Sequence, residues 1–191
     1  MELTSKVLNG LERLSEALKA LQWEKAKVHG VSPMQIQLLL FVADHQPELC
    51  NVSSLAREFN VTKATISDAV KALITKEFLE KSASSVDRRS YNVATTKTGR
   101  KLVADLSQYA RPLLTALDEV EGDRLEETFS TLTQLMYQLN RHGVIQVQRT
   151  CFRCAHYEGD RQDQHFCNLL EADLASVEVR LDCPDFQSPE E

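Results

Sequence analysis

The sequence lacks the features of a membrane-spanning or exported protein. No apolar run in its 191 residues approaches the roughly 18 consecutive apolar residues that indicate a spanning helix. Residues 1–4 do not begin a basic segment followed by an apolar core, so no signal peptide is predicted. The content of 42% hydrophobic and 26% charged residues is typical of a soluble globular protein. We therefore expect a cytoplasmic protein with no membrane partner.

Positive charge is scarce, and the net charge of −6 taken alone argues against nucleic acid as a partner. The average hides an asymmetry, because residues 62–101 hold nine Lys or Arg against four Asp or Glu. That segment carries +5, and the remainder of the chain therefore carries −11. Binding of phosphate depends on the local field at the contact surface. A basic face on an acidic body is compatible with DNA binding.

Two segments each carry a seam, meaning a row of mainly leucine residues spaced to lie on one face of a helix. The seam of the first is Leu3, Val7, Leu11, Leu14, Leu18 and Leu21, and that of the last is Leu125, Phe129, Leu132, Met136 and Leu139. Gly30 and Gly143 are expected to end these helices. Between them, Ser32 and Pro33 begin a helix that is apolar on nearly all sides, which predicts a buried core helix.

The middle of the chain has the pattern of a helix-turn-helix. A short helix is predicted from a Ser53 cap to Phe59, a turn at Asn60 and Val61, and a second helix from a Thr62 cap to about Lys76. A second helix of this kind fits the major groove of duplex DNA. Its outward side chains are hydroxyls, cations and one carboxylate, which suit base edges and phosphates. The predicted DNA contacts are Thr62, Lys63, Thr65, Ser67, Asp68 and Lys71.

A hairpin follows, with strands predicted at residues 78–82 and 91–95 and a polar tip that holds Asp87, Arg88 and Arg89. Thr96 or Thr98 is expected to cap a long helix to about Val120, kinked at Pro112. The Asp-x-Arg tip, the strand after it and the Thr-x-x-Gly helix start resemble the MarR family of winged-helix regulators, over about residues 1–145. The predicted fold class is mainly α with a small β wing, a winged helix-turn-helix.

The resemblance implies a function in transcription regulation. In that family the arginine matching Arg89 enters the minor groove, and the aspartate matching Asp87 holds it by an ion pair; Arg88 is a further cation for phosphate. The family dimerises through its first and last helices, here residues 1–29 and 121–143. We therefore expect a MarR-like domain at 1–147, with a DNA-reading core at about 50–97. A homodimer would read a pseudo-palindromic operator in double-stranded DNA, under control of a small-molecule or redox effector.

The tail at residues 148–191 departs from the family and carries cysteines with metal-ligand spacing. Cys151 and Cys154 form a Cys-x-x-Cys pair, and Cys167 and Cys183 follow. In a cytosolic protein such thiols are expected to bind metal instead of forming disulfides. Four thiolates suit zinc in a tetrahedral site. Zinc is therefore the expected cofactor. The Cys-Pro end and the aromatic residues nearby also suit an iron–sulfur cluster, which is the alternative.

Other residues and functions compete with this interpretation. His156 and His165 are alternative ligands, whereas Cys50 stands apart and is expected to be a small buried residue. A metal-dependent enzyme is disfavoured, because four protein thiolates leave no open coordination position. The alternative is a winged-helix interaction adaptor with a structural zinc knob and no operator. The leading hypothesis is a DNA-binding regulator whose tail is either structural or responsive to metal or redox state.

Overall fold

The computed structural model describes residues 2–83, 91–183 and 185–189. The chain forms two compact units, an N-terminal unit (Met1–Thr115) and a C-terminal unit (Ala116–Glu191). This division falls earlier than the domain boundary expected at residue 147, which stays a prediction. Within the described residues, no helix has both the length and the apolar character needed to cross a membrane.

The N-terminal unit is mainly helical with one two-stranded antiparallel sheet. Its helices are α1 (Leu3–His29), α2 (Pro33–Asp44), α3 (Val52–Glu58), α4 (Lys63–Thr75), α5 (Lys97–Leu106) and the start of α6 (Arg111–Asp118). Its strands are β1 (Leu79–Ala83) and β2 (Tyr91–Thr95). The predicted fold class, mainly α with a small β wing, is confirmed.

Local signals set the start and end of the first two helices as predicted. Gly30 follows α1 with a φ of 61°, a left-handed conformation that glycine adopts without a steric penalty. Ser32 begins α2 with a capping box, in which its side chain accepts from the backbone N–H of Gln35 while the Gln35 side chain accepts from the backbone N–H of Ser32. The backbone therefore turns sharply between two long helices without leaving buried donors unpaired.

The core of the N-terminal unit is built around α2. The largest side chains with less than 2% of their surface exposed include Ile36, Leu38, Leu39, Leu55, Ile66, Leu73, Leu79 and Leu106. Three of them belong to α2, which confirms the prediction of a buried core helix. The others come from α3, α4, β1 and α5, so the helix-turn-helix and the wing share one core.

Two predicted helix boundaries are wrong, each for a local reason. Asn51, and not Ser53, caps α3, because its side-chain oxygen accepts from the backbone N–H groups of Ser53 and Ser54 at 3.1 and 3.0 Å. The predicted continuous helix to Val120 is interrupted after α5 by a 3₁₀ turn at Ser107–Ala110. Pro112 lies in the first turn of α6, where its missing N–H costs no hydrogen bond.

The wing strands pair in register from Leu79 opposite Thr95 to Ala83 opposite Tyr91. The first strand begins one residue later than predicted, because Phe78 closes the turn after α4 and its carbonyl accepts from the backbone N–H of Thr96 at 3.1 Å. The base of the wing is tied to the core, since Val93 donates to the carbonyl of Cys50 at 2.8 Å. The wing therefore extends from a fixed base next to the helix-turn-helix.

The C-terminal unit combines α7 (Gly122–Arg141) with the cysteine tail. Small strands β3 (Tyr157–Gly159), β4 (His165–Cys167) and β5 (Ala172–Asp173) form an antiparallel sheet in that order. Gly143 follows α7 with a φ of 72°, as expected for the end of that helix. Phe152 is buried and meets Tyr137 of α7 edge-on at 6.0 Å. One face of α7 thus packs on the tail.

Candidate nucleic-acid interface and cysteine site

The helix-turn-helix joins α3 and α4 through a tight turn. Asn60 adopts a φ of 51° there, and the backbone N–H of Val61 donates to the carbonyl of Ala56 at 3.0 Å. Ala56 is buried, and its small side chain allows this close approach. The turn at Asn60 and Val61 was predicted from the sequence, and it fixes the direction in which α4 leaves the turn.

The helix α4 has one buried and one exposed face. Ile66, Val70 and Leu73 have no measurable exposure and hold the helix on the core. On the opposite side, Thr62, Lys63, Thr65, Asp68 and Lys71 are exposed, and Ser67 is half-buried. The predicted contact residues thus lie at the exposed N-terminal part of α4, where unpaired backbone N–H groups favour anions.

Two of the predicted contact residues have a structural task as well. The Thr62 hydroxyl accepts from the backbone N–H of Thr65 at 3.1 Å, and the two hydroxyl oxygens lie 2.9 Å apart. Thr62 therefore caps α4, as predicted. Either hydroxyl can donate to the other, so one O–H of the pair stays available for an outward contact.

The two longer charged side chains on this face form a loose pair. The Lys71 ammonium lies 3.7 Å from the Asp68 carboxylate, and the side chains are 73% and 78% exposed. Such an exposed pair contributes little to stability. Each side chain is free to exchange its partner for a base edge or a phosphate, while Lys63 extends from the first turn of the same helix.

The wing also carries cations, and one of them, Lys81, lies within the described residues. The Lys81 ammonium lies 4.3 Å from the centre of the Tyr91 ring, a cation–π contact between the two strands. Asp87, Arg88 and Arg89 lie outside the described residues, so their predicted roles at the wing tip stay predictions.

Gly99 explains the Thr-x-x-Gly pattern that follows the wing. The Thr96 hydroxyl caps α5 by accepting from the backbone N–H of Gly99 at 2.9 Å. A side chain at Gly99 would overlap the carbonyl oxygen of Phe78. That oxygen also accepts a hydrogen bond from the backbone N–H of Thr96. The pattern therefore brings the start of α5 against the turn that leads into the wing.

Cys50 is buried at 1% exposure and donates from its thiol to the carbonyl of Gln46 at 3.4 Å. This confirms the prediction of a small buried residue. Burial, with a smaller contribution from the Glu48 charge, raises the pKa of Cys50 to about 11.

We expect Cys50 to resist alkylation in the native protein. At pH 8 roughly one thiol in a thousand would be the reactive thiolate, and burial limits access further. Peptide mapping after timed iodoacetamide treatment should show Cys50 reacting at least about 100-fold more slowly in native than in urea-unfolded protein. Equal rates in both states would contradict the buried placement.

The four tail cysteines line one cavity of about 330 Å³ in the C-terminal unit. They reach it from separate elements: Cys151 and Cys154 from a 3₁₀ turn, Cys167 from β4, and Cys183 from the last segment. All are free thiols. The sequence pattern predicted this convergence, although 29 residues separate Cys154 from Cys183.

Backbone hydrogen bonds hold the cysteine-bearing segments together. Cys151 donates to the carbonyl of Arg180 at 3.1 Å, and Cys183 donates to the carbonyl of Arg149 at 2.9 Å. Cys167 is opposite Tyr157 in the β3–β4 pair. Within the described residues, no group of three or more Cys, His, Asp or Glu side chains is gathered closely enough to hold a single metal ion.

The environment of Cys151 reflects the other thiols. Its pKa is raised chiefly by burial, and the nearby Cys183, Cys154 and Cys167 raise it further. The backbone N–H of Arg180 opposes this by donating to the Cys151 sulfur at 3.3 Å. The four thiols thus affect one another electrostatically across the cavity.

The two tail histidines have different surroundings. His165 is buried, with Nδ1 at 2.8 Å from the Tyr157 hydroxyl and Nε2 at 3.4 Å from the Ser176 hydroxyl. It also stacks on Phe152 at 5.7 Å. His165 is therefore part of the small core of the tail, which argues against a ligand role. His156 lines the cavity beside the thiols.

The fold and the exposed polar face of α4 define a winged helix-turn-helix protein. Residues 29–90 match the sequence profile of the MarR family. The match covers about a third of the chain and agrees with the resemblance that the wing and helix-start motifs predicted. The matched region holds α2, α3, α4 and the first wing strand.

Relatives and solved structures agree with this assignment. The chain is 28% identical to the exopolysaccharide II synthesis transcriptional activator ExpG of Rhizobium meliloti over 133 residues, 69% of this chain and 67% of that protein. It is 32% identical to the uncharacterized HTH-type transcriptional regulator YhjH of Bacillus subtilis over 89 residues, 47% of this chain and 50% of that protein. Both names describe regulators of transcription.

The fold matches solved MarR-type structures at low sequence identity. The Staphylococcus aureus MarR complex with salicylate and kanamycin superimposes with a TM-score of 0.63 and 20% identity, over 73% of this chain and 93% of that one. The S. aureus MepR–DNA complex gives a TM-score of 0.61 and 22% identity, over 72% of this chain and all of the other. These matches leave more than a quarter of the chain uncovered.

Proposed function

We propose that the protein binds a pseudo-palindromic DNA operator as a homodimer and thereby regulates transcription. The observation that carries this proposal is the exposed face of α4, which presents Lys63, Thr65, Asp68 and Lys71 on a helix held rigidly by its buried face. Hydroxyls and cations at a helix N-terminus provide phosphate contacts, and the same positions reach base edges in the major groove. The MepR structure with DNA, which shares this fold, supports the proposal.

The apolar surface left exposed by a single chain supports dimerisation. In α1, Leu3, Val7, Leu11 and Leu14 are 39–73% exposed, and in α7, Leu125, Leu132, Leu135 and Leu139 are 37–42% exposed. Rows of exposed leucines on helices indicate an interaction surface. The occupant that we propose is a second copy of this chain, because the family resemblance places the dimer interface on these two helices.

A dimer would determine the symmetry of the operator and the spacing of its half-sites. Two copies of α4 related by a twofold axis would enter successive major grooves about 34 Å apart, one turn of duplex. The operator is then expected to be an inverted repeat with half-sites centred about 10 base pairs apart. A ligand that changes the separation of the two helices would change affinity. The MarR neighbour with salicylate and kanamycin supports a small-molecule effector as one class of such ligand.

The cationic side chains of α4 allow a direct test of DNA contact. The double variant Lys63→Ala/Lys71→Ala is expected to weaken operator binding on all sequences. Each lost phosphate contact lowers the salt dependence of DNA binding. The slope of the logarithm of the binding constant against the logarithm of the salt concentration should therefore fall in magnitude by about 2 per protomer. Fluorescence anisotropy with a labelled duplex over a series of salt concentrations measures both effects.

Lys19→Ala is a matched control, because Lys19 is an exposed cation on α1 whose partner is Glu16 at 2.9 Å. It should leave the slope unchanged. Equal slopes for the wild type and the α4 variant would mean that this face does not meet DNA. Absence of salt-dependent duplex binding by the wild type would instead favour the interaction adaptor.

A further inference from the structure

The cysteine cavity in the C-terminal unit is a site that the winged-helix fold does not account for. We propose that Cys151, Cys154, Cys167 and Cys183 bind an iron–sulfur cluster there, in preference to a single zinc ion. The proposal is independent of operator binding, since all four ligands and their supporting contacts lie within the C-terminal unit. It rests on the convergence of the thiols on one cavity, the scaffold that holds them and the apolar side chains that line the same space.

The four thiols face one space. Cys151 and Cys154 reach it from a 3₁₀ turn, Cys167 from β4 and Cys183 from the last segment. Four cysteine ligands around one space are what a cluster needs, since its iron and sulfide atoms lie between the cysteines. Four thiolates also suit zinc, at about 2.3 Å from the ion, so the test is designed to tell the two centres apart.

The volume between the thiols agrees with this interpretation. The cavity measures about 330 Å³, whereas a single water molecule occupies roughly 30 Å³. The space is therefore large enough for a group of several heavy atoms.

The segments that carry the thiols are held before any cluster is bound. The backbone exchange between residues 149–151 and 180–183, together with the β3–β4–β5 sheet, fixes three of the four positions. Cys154 is fixed by its own backbone N–H, which donates to the carbonyl of Cys151 at 2.9 Å. This scaffold brings the four thiols to one cavity.

Arg180 supplies hydrogen-bond donors to two of the cysteine sulfurs. Its backbone N–H donates to the Cys151 sulfur at 3.3 Å, and its guanidinium lies 3.8 Å from the Cys183 sulfur. Hydrogen bonds to cysteine sulfurs tune the reduction potential of a cluster. The guanidinium also offsets the negative charge of four thiolates, in a cavity that Glu178 and Asp185 line as well.

Apolar side chains cover the remaining wall. Leu169, Leu170 and Leu174 line the cavity, and the first two are 49% and 55% exposed around its rim. Limited access of water protects a cluster and sets its potential. Val177, further along the same segment, is 49% exposed and does not line the cavity.

The site is in direct contact with a helix of the proposed dimer interface. Cys151 and Phe152 share a small core with Phe129 and Tyr137 of α7. The Arg161 guanidinium covers the other side of the Tyr137 ring at 5.2 Å. Occupancy of the cavity is therefore expected to stabilise α7 within this unit.

The test is an elemental analysis of full-length protein purified without air and then incubated with ferric iron, sulfide and a thiol reductant, which together supply iron in both oxidation states. We expect iron and acid-labile sulfide in equal molar amounts, at least about two of each per chain, with broad visible absorption. The Cys167→Ser variant should lose most of the iron, sulfide and colour. Cys50→Ser, a matched change at a buried thiol outside the site, should retain all three.

The wild-type measurement decides the identity of the centre whether or not the variant folds. A colourless protein that holds one zinc per chain and takes up neither iron nor sulfide would overturn the proposal. Retention of the full iron and sulfide content by Cys167→Ser would overturn it as well. Operator binding measured on the same samples separates the cluster hypothesis from the DNA-binding hypothesis. Protein that binds no cluster but binds DNA would contradict only the first, and protein that binds a cluster but no DNA would contradict only the second.

Discussion

Substitution of Leu11 and Leu132 by glutamate is expected to convert the dimer into monomers and to lower operator affinity by about two orders of magnitude or more. Each of these leucines is 39% exposed in the single chain, one on α1 and one on α7. In a dimer each would lie in an apolar contact, where an added carboxylate would lose its hydration without gaining a partner. A monomer then keeps half of the phosphate contacts of the dimer.

Sedimentation velocity gives the mass, and anisotropy with the duplex gives the affinity. The matched control is Ala20→Glu/Gln134→Glu, which adds the same charges on exposed positions away from the two leucine rows. The control should remain dimeric and bind normally. A wild-type protein that sediments as a monomer at micromolar concentration would contradict both the dimer and the inverted-repeat operator.

The Gly99→Ala substitution is expected to destabilise the N-terminal unit by about 1–3 kcal/mol, as overpacking against a fixed neighbour does. The neighbour is the carbonyl oxygen of Phe78, which already accepts a hydrogen bond from Thr96. To relieve the overlap, α5 must move away from the turn that carries the wing. Weaker duplex binding should accompany the lower stability.

Thermal and urea unfolding measure the loss for Gly99→Ala. Gly122→Ala is the control, because an added side chain at Gly122 meets nothing within 4 Å. That variant should be neutral or more stable by up to about 1 kcal/mol, since alanine is the better helix former. If the two variants unfolded alike, close packing at Gly99 would not explain the Thr-x-x-Gly pattern.

Features with a local cause were predicted correctly from the sequence. The Ser32 and Thr62 caps, the buried α2 and the turn at Asn60 depend on a few neighbouring side chains, which the sequence displays directly. The α3 cap was missed because Asn51 and Ser53 are both good capping residues. The hydrogen bond from Val93 to Cys50, which positions Asn51, joins segments 43 residues apart and has no local signal.

Tertiary contacts account for the other differences. Phe129 belongs to the leucine-rich seam predicted for α7, yet it packs on the cysteine tail within the C-terminal unit. Periodicity identifies an apolar face but not its partner, so the two apolar faces of α7 were predicted as one. The convergence of the four cysteines was predictable from residue type and number. The cavity that they line depends on how β4 and the last segment fold back.

The most direct test of the central hypothesis is a binding-site selection from random duplexes with the wild-type protein, repeated with Asp68→Ala. We predict enrichment of an inverted repeat with half-sites about 10 base pairs apart, and a changed consensus for the variant at matching positions in both half-sites. Asp68 is 78% exposed on α4, so its loss should not affect folding. Selection that enriches no inverted repeat, or enriches the same consensus for both proteins, would contradict recognition of an operator by α4 of a dimer.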